Sequence, residues 1–107
     1  MPVHHATEEE FQIALTKSPL PLLVDFWAPW CAPCKAISPL LDTFAGQTEN
    51  TLYILKVNID DLPGIAQSYR VTSIPTLLVL HRGEEVRRHV GVVSLPKLRE
   101  LVKISQE

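Results

Sequence analysis

The sequence predicts an α/β fold, a mixed sheet with helices on both sides, on three observations. Two nearly continuous apolar runs, 22–28 and 51–59, flank a helical stretch at 35–47. Two further strand-like segments, 76–80 and 85–90, are joined by a few turn residues. Helical periodicity also opens and closes the chain.

Thr7-Glu8-Glu9-Glu10 fits a capping box, and Phe11, Ala14 and Leu15 follow at helical spacing until Pro19 and Pro21 end the helix. In the first apolar run Leu22, Val24 and Phe26 occupy one face and Leu23 and Trp27 the other, the pattern of a central strand covered on both sides. The second run carries Leu52, Ile54, Leu55, Val57 and Ile59. Between them Ile37, Leu40, Leu41, Phe44 and Ala45 keep helical spacing, so the two strands should be parallel with a right-handed crossover. Arg82-Gly83-Glu84 is too short for anything but an antiparallel return. A last helix opens at Ser94-Leu95-Pro96 and presents Leu98, Leu101, Val102 and Ile104.

The chain of 107 residues has the size of one domain, taken as 1–107, and 46% hydrophobic with 21% charged residues fits a globular protein. A net charge of −2 argues against charge-driven binding to nucleic acid or a membrane surface. The opening residues lack the apolar core and basic flank of a secretory signal, and no apolar run approaches the ~18 residues of a bilayer span. A soluble cytoplasmic protein is expected.

Only two cysteines are present, spaced Cys31-Ala32-Pro33-Cys34. In a reducing compartment that spacing is a redox pair or half of a metal site. A zinc site needs two further ligands, and His4, His5, His81 and His89 offer no i, i+3 or i, i+4 pair, which favours the redox pair. The dithiol stands where a buried strand meets a helix, at the carboxyl end of the strand, where α/β sheets form their sites. A helix beginning at or just after Cys31 would favour a thiolate there, the attacking species in disulfide exchange. Cys31 is expected to be exposed and Cys34, a turn further in, more buried. Pro33 stiffens the first turn.

Asp25 is the one charged residue in the most apolar strand. A carboxylate buried without a partner is costly, so it is a candidate proton acceptor for the dithiol, the alternative being an acid satisfied by backbone donors. Lys56 could be its partner if the two parallel strands are neighbours. Pro75 stands before an apolar strand, a place for a turn or an edge. Arg82, Arg87 and Arg88, interleaved with Glu84 and Glu85, read as a solvated hairpin face. Trp27 reads as packing and Trp30 as a substrate contact.

Taken together, the stretch from Val24 to Lys35, Pro39, Val57-Asn58-Ile59-Asp60, Ile74-Pro75-Thr76, Gly83 and Gly91 resemble the thioredoxin family in order and spacing, over essentially the whole chain. The resemblance implies a thioredoxin fold, a five-stranded mixed sheet flanked by four helices. It implies a cis Pro75 facing a redox-active Cys31–Cys34 disulfide, and a substrate groove from Trp30, Ala32, Ile74, Val90, Gly91 and Val92. It gives Asp25 the task of helping to deprotonate Cys34, with Lys56, Pro33 and Pro75 in support. No cofactor is bound; a thioredoxin reductase supplies electrons from NADPH. The chain departs from the family at Ala32, where Gly is usual, at Thr72-Ser73 in place of Arg-Gly, at Arg70, where Gly is frequent, and at Leu80, often Phe.

The function expected is reduction of disulfides in client proteins by a monomer, Cys31 attacking and Cys34 resolving, with no metal, nucleic acid or membrane involved. The alternatives are a specialised oxidoreductase with a single client and a binding subunit whose dithiol is incidental. An oxidase or isomerase is less favoured, because Pro33 stands where those relatives carry His or another stabilising group.

Overall fold

The structure is a computed structural model and describes residues 3–103. Its elements, in chain order, are β1 (His4–His5), α1 (Glu8–Lys17), β2 (Leu22–Trp27), α2 (Ala32–Gln47), β3 (Tyr53–Asn58), α3 (Pro63–Ser68), β4 (Thr76–His81), β5 (Glu84–Val90) and α4 (Leu95–Leu101). The described residues thus form a five-stranded sheet in the order β1-β3-β2-β4-β5, with four helices. β2 pairs parallel with β3 and antiparallel with β4, so it is the central strand its two apolar faces required.

The period of two along each strand separates two cores. Leu23, Leu77 and Val79 pack under α2 and α4 against Ile37, Leu41, Phe44, Leu98 and Leu101. Leu22, Val24, Phe26, Leu78 and Leu80 pack on the opposite face against Phe11 of α1 and Ile65 and Ala66 of α3. Leu80, at a position often Phe in the family, is fully buried there.

The helix signals act as expected. The Thr7 hydroxyl accepts from the Glu10 N–H at 3.1 Å while the Glu10 carboxylate accepts from the Thr7 N–H at 2.9 Å, closing the capping box. Ser94 caps α4 with Pro96 in its first turn. Val102 packs on the core beneath α4; Ile104, assigned to the same apolar face, lies outside the described residues. The β4–β5 turn is two residues, Arg82 and Gly83, both at positive φ (53° and 82°), the backbone that matches strand twist in a tight hairpin.

Two elements carried too little pattern to be read from their own residues. β1 is two exposed residues long. α3 has six residues and buries only Ile65 and Ala66. Its end is nonetheless tightly built. The Arg70 N–H donates to the Gln67 carbonyl at 3.0 Å and the Val71 N–H to the Ala66 carbonyl at 2.9 Å, the paired closure of a Schellman motif, with Arg70 at φ 55° in the left-handed position that favours glycine. The frequent glycine of the family thus has a backbone reason. Arg70→Gly is expected to raise stability by about 1 kcal/mol, or ~4 °C in melting temperature; a lowered melting temperature would contradict this account of the position.

The hairpin face is solvated as read, with Arg82, Arg87 and Arg88 all exposed, but two of these arginines also bind backbone. Neighbours on β5 point to opposite faces, and each ties down a helix end. Arg87 donates to the carbonyls of Leu101 (3.0 Å), the last residue of α4, and Lys103 (2.7 Å), just beyond it. Arg88 donates to the Tyr69 carbonyl at 2.6 Å beyond α3 and pairs with Glu85 at 2.9 Å. Carbonyls at and just past a helix C-terminus lack internal donors and carry the negative end of its dipole, so a guanidinium is favoured there.

Candidate active site

The site begins where β2 ends. Cys31 is the N-cap of α2, in extended backbone, and its Sγ accepts from the Cys34 N–H at 3.2 Å. The helix starts at Ala32 with Pro33 in its first turn, so Cys34 falls one turn in, on the face turned toward the sheet. The two sulfurs are joined, with Cα atoms 5.3 Å apart. Pro39 stands inside α2 and cannot donate to the Lys35 carbonyl, which interrupts the helix ladder just beyond the active turn.

Burial corrects one expectation. Cys31 is not exposed: it is 5% accessible, against 1% for Cys34. Together with Ala28 the pair forms a small apolar cluster covered by Trp27, Ile59 and Ile74. Ile59 and Ile74 arrive from loops far along the chain, and Ile59 is held by its N–H on the Trp27 carbonyl at 2.9 Å. Exposure ranks the sulfurs only weakly. Their places on the helix differ far more, because only Cys31 stands beyond the first turn, against its free N–H groups.

The Ile74–Pro75 bond is cis, as the resemblance implied, and Pro75 is buried. The Pro75 carbonyl accepts from the Gly91 N–H at 2.9 Å, which binds the 90–92 segment to the loop carrying Ile74. Gly91 sits at φ 98°, a backbone that side-chain-bearing residues rarely adopt. Val90 and Val92 are 54% and 61% exposed, and Trp30 is 68% exposed. Ala32 and Pro33 are exposed as well. The Trp30 ring is tethered despite its exposure, its Nε1–H donating to the Asp60 carboxylate at 3.1 Å. Asp60 is a contributor the sequence did not single out. It is held in turn by its own N–H on the Asn58 side chain at 2.9 Å.

Beneath α2 lies the buried acid. Asp25 is 0% accessible, and neither carboxylate oxygen has a hydrogen-bond partner among the described residues. Lys56 stands in register beside it on β3, with Nζ 3.9 Å from Oδ2, so the partner expected from neighbouring strands is present but beyond hydrogen-bond range. The ammonium donates instead to the Ser38 hydroxyl at 3.1 Å and lies over the Trp27 ring, 4.8 Å from its centre. Ser38 is the second residue missed. It lies one turn after Cys34 on the same face of α2, which the i, i+4 spacing could have signalled. Desolvation pushes the Asp25 carboxyl up to about 7, and the opposing pull of Lys56 does not cancel it. A group that changes charge near neutrality therefore sits beside Lys56, whose ammonium reaches α2 at Ser38, one turn after Cys34.

Among the described residues, no group of three or more His, Cys, Asp or Glu side chains could hold a metal, and no helix is long and apolar enough to cross a membrane.

The comparisons with known proteins agree with this geometry. The family profile described as thioredoxin matches residues 2–104. The chain belongs to the thioredoxin family. It is similar to the thioredoxin of Porphyra purpurea, 43% identical over 93 residues and 87% of each chain. It is also similar to thioredoxin 1 of Nostoc sp., 39% identical over 97 residues and 91% of each chain. The thioredoxin of Haemophilus influenzae is 42% identical over 95 residues, covering 89% of this chain and 87% of its own. As in other thioredoxins, the linked cysteines are a redox-active disulfide, and the chain is a thiol–disulfide oxidoreductase that reduces disulfides of client proteins.

Proposed function

We propose that the protein is a general disulfide reductase acting as a single-domain monomer in the cytoplasm, with Cys31 as nucleophile, Cys34 as resolving thiol and Asp25 as the base that prepares Cys34. The observation that carries the assignment is the position of Cys31 as N-cap of α2, its sulfur already accepting a backbone N–H. In the reduced protein a thiolate there keeps that hydrogen bond and the favourable end of the helix dipole. It attacks one sulfur of a client disulfide, forms a mixed disulfide and releases the other sulfur as a thiolate. The Asp25 carboxylate then takes the Cys34 proton. The Cys34 thiolate attacks the Cys31 sulfur, displaces the second client sulfur and closes the Cys31–Cys34 bond. Two electrons pass from the dithiol to the client. A thioredoxin reductase drawing on NADPH returns them.

Trp30, Ala32, Ile74, Val90, Gly91 and Val92 form the client groove in this proposal. The exposed, uncharged surface of Trp30, Val90 and Val92 supports it. Pro33 and Pro75 frame the reacting sulfurs, and Lys56 holds the charge beside Asp25.

Insulin reduction tests the whole assignment, first with dithiothreitol and then with NADPH and a thioredoxin reductase. Turnover in both is expected of a general reductase. Turnover with dithiothreitol alone points to the single-client alternative, and none in either to a binding subunit. Pro33 and the absence of His from the motif place the expected reduction potential near that characteristic of thioredoxins, about −270 mV, and well below disulfide isomerase at about −180 mV. Equilibration against glutathione measures it, and a value in the isomerase range sinks the reductase proposal.

A further inference from the structure

Three titratable side chains stand in register across one face of the sheet. His5 on β1 pairs with Lys56 on β3, and Lys56 pairs with Asp25 on β2. The row runs from solvent to core: His5 is exposed, Lys56 almost covered and Asp25 fully buried. Trp27, two residues along from Asp25, ties the row together. The His5 ring meets it edge-on with centroids 5.7 Å apart, and the Lys56 ammonium lies over it. His5, Trp27 and Lys56 border a cleft of about 540 Å³ that opens the row to water.

The charged groups around His5 are Lys56 on β3, His4 on its own strand and Asp42 on α2, while Glu8 of α1 and Asp61 after β3 line the same cleft. Burial, then Lys56 and His4, hold the His5 imidazole below the ordinary histidine range, and Asp42 opposes them. His5 is therefore neutral at pH 7 and gains its charge in mild acid.

We propose that His5 is a positioning residue for Asp25, acting through Lys56 and Trp27: in mild acid its imidazolium adds a second cation to the row and keeps Asp25 ionised to lower pH than Lys56 alone would. The inference deepens the assignment of Asp25 as base and rests on it for its catalytic meaning. The interaction itself does not depend on turnover. Two strand spacings separate the groups, ~10 Å. A unit charge at that distance shifts a carboxyl titration by about 0.3 to 1 pH unit. The coupling is mutual, so the two titrations spread each other apart, and the Asp25 curve is drawn out on its acid side.

The test is an NMR titration of the Asp25 carboxyl carbon in the oxidised full chain and in His5→Phe, His5→Gln and His5→Lys. Phe keeps a ring against Trp27 without charge, Gln loses both, and Lys carries a cation at every pH. The expected result is a steeper, single-proton curve for Phe and Gln, with about two-fold less ionised Asp25 at a pH low enough to charge His5 in the parent. For Lys the curve moves to lower pH. The ratio of insulin reduction at that acid pH to that at pH 8 should follow the same order. Identical Asp25 curves in the Phe and Lys variants overturn the proposal. So does a curve that follows the ring, with Phe like the parent and Gln and Lys alike. If Asp25→Asn keeps its full rate while the Asp25 titration still follows the charge at position 5, the base assignment fails and the electrostatic row stands.

Discussion

Cys34→Ser is expected to accumulate client proteins as stable mixed disulfides, and Cys31→Ser to capture almost none, while both lose catalytic turnover. The asymmetry follows from the helix start. Without Cys34 the Cys31 thiolate can still form where α2 presents its first N–H groups, including that of residue 34, but nothing then resolves the bond to the client. Without Cys31 the remaining thiol lies inside the first turn, 1% accessible and beneath apolar cover. Affinity capture followed by non-reducing gels reads the difference. Equal capture by both variants would mean that Cys34 reaches clients by itself, and the order of attack would have to be abandoned. The small accessibility of Cys31 makes the experiment more demanding than the sequence suggested, since a client must displace or fit beside Ile74 to reach the sulfur.

The sequence was most informative where chemistry and local pattern coincide. The two-residue spacing of the cysteines at a strand–helix junction, and a lone acid inside an apolar strand, were each legible because one short segment carries the whole signal. The Asp25–Lys56 neighbourhood needed one further step, a parallel pairing that the crossover helix between the strands predicts. What could not be read depends on contacts between distant segments. Ile59 and Ile74 cover Cys31 from loops that nothing in the motif announces. The Lys56 ammonium turns to Ser38, which leaves Asp25 without the hydrogen bond that a simple charge pair would supply. Arg87 and Arg88 are the surface charges that a hairpin sequence suggests, but their bonds to carbonyls at the ends of two helices come from segments far along the chain. β1 has two residues, and its place in the sheet is set by the edge of β3 rather than by any pattern of its own.

Asp25→Asn should separate stability from catalysis, moving them in opposite directions. The folded protein holds the Asp25 proton up to about pH 7, whereas the unfolded chain releases it near ~3.9. The folded state thus binds the proton more tightly, and protonation favours folding. That contribution is complete below the unfolded value, declines as pH rises between the two, and is lost once pH passes through about 7. The difference corresponds to roughly 4 kcal/mol, set by desolvation that Lys56 at 3.9 Å only partly offsets. Above pH 7 the parent carries a buried carboxylate with no hydrogen-bond partner among the described residues. A neutral amide of the same size removes the charge, though it must still be desolvated, so only part of the difference is recovered. The melting temperature of Asp25→Asn should match the parent near pH 4 and exceed it by on the order of 10 °C at pH 8. Over the same range the step that closes the disulfide should slow by about 10-fold to 100-fold, since no group remains to take the Cys34 proton. Damage to the core would lower both quantities together. Melting curves paired with insulin-reduction rates from pH 4 to pH 9 read the two effects on the same samples. A variant that melts below the parent at every pH, or that reduces insulin at the parent's rate throughout, would reduce Asp25 to a structural residue and leave Cys34 without its base.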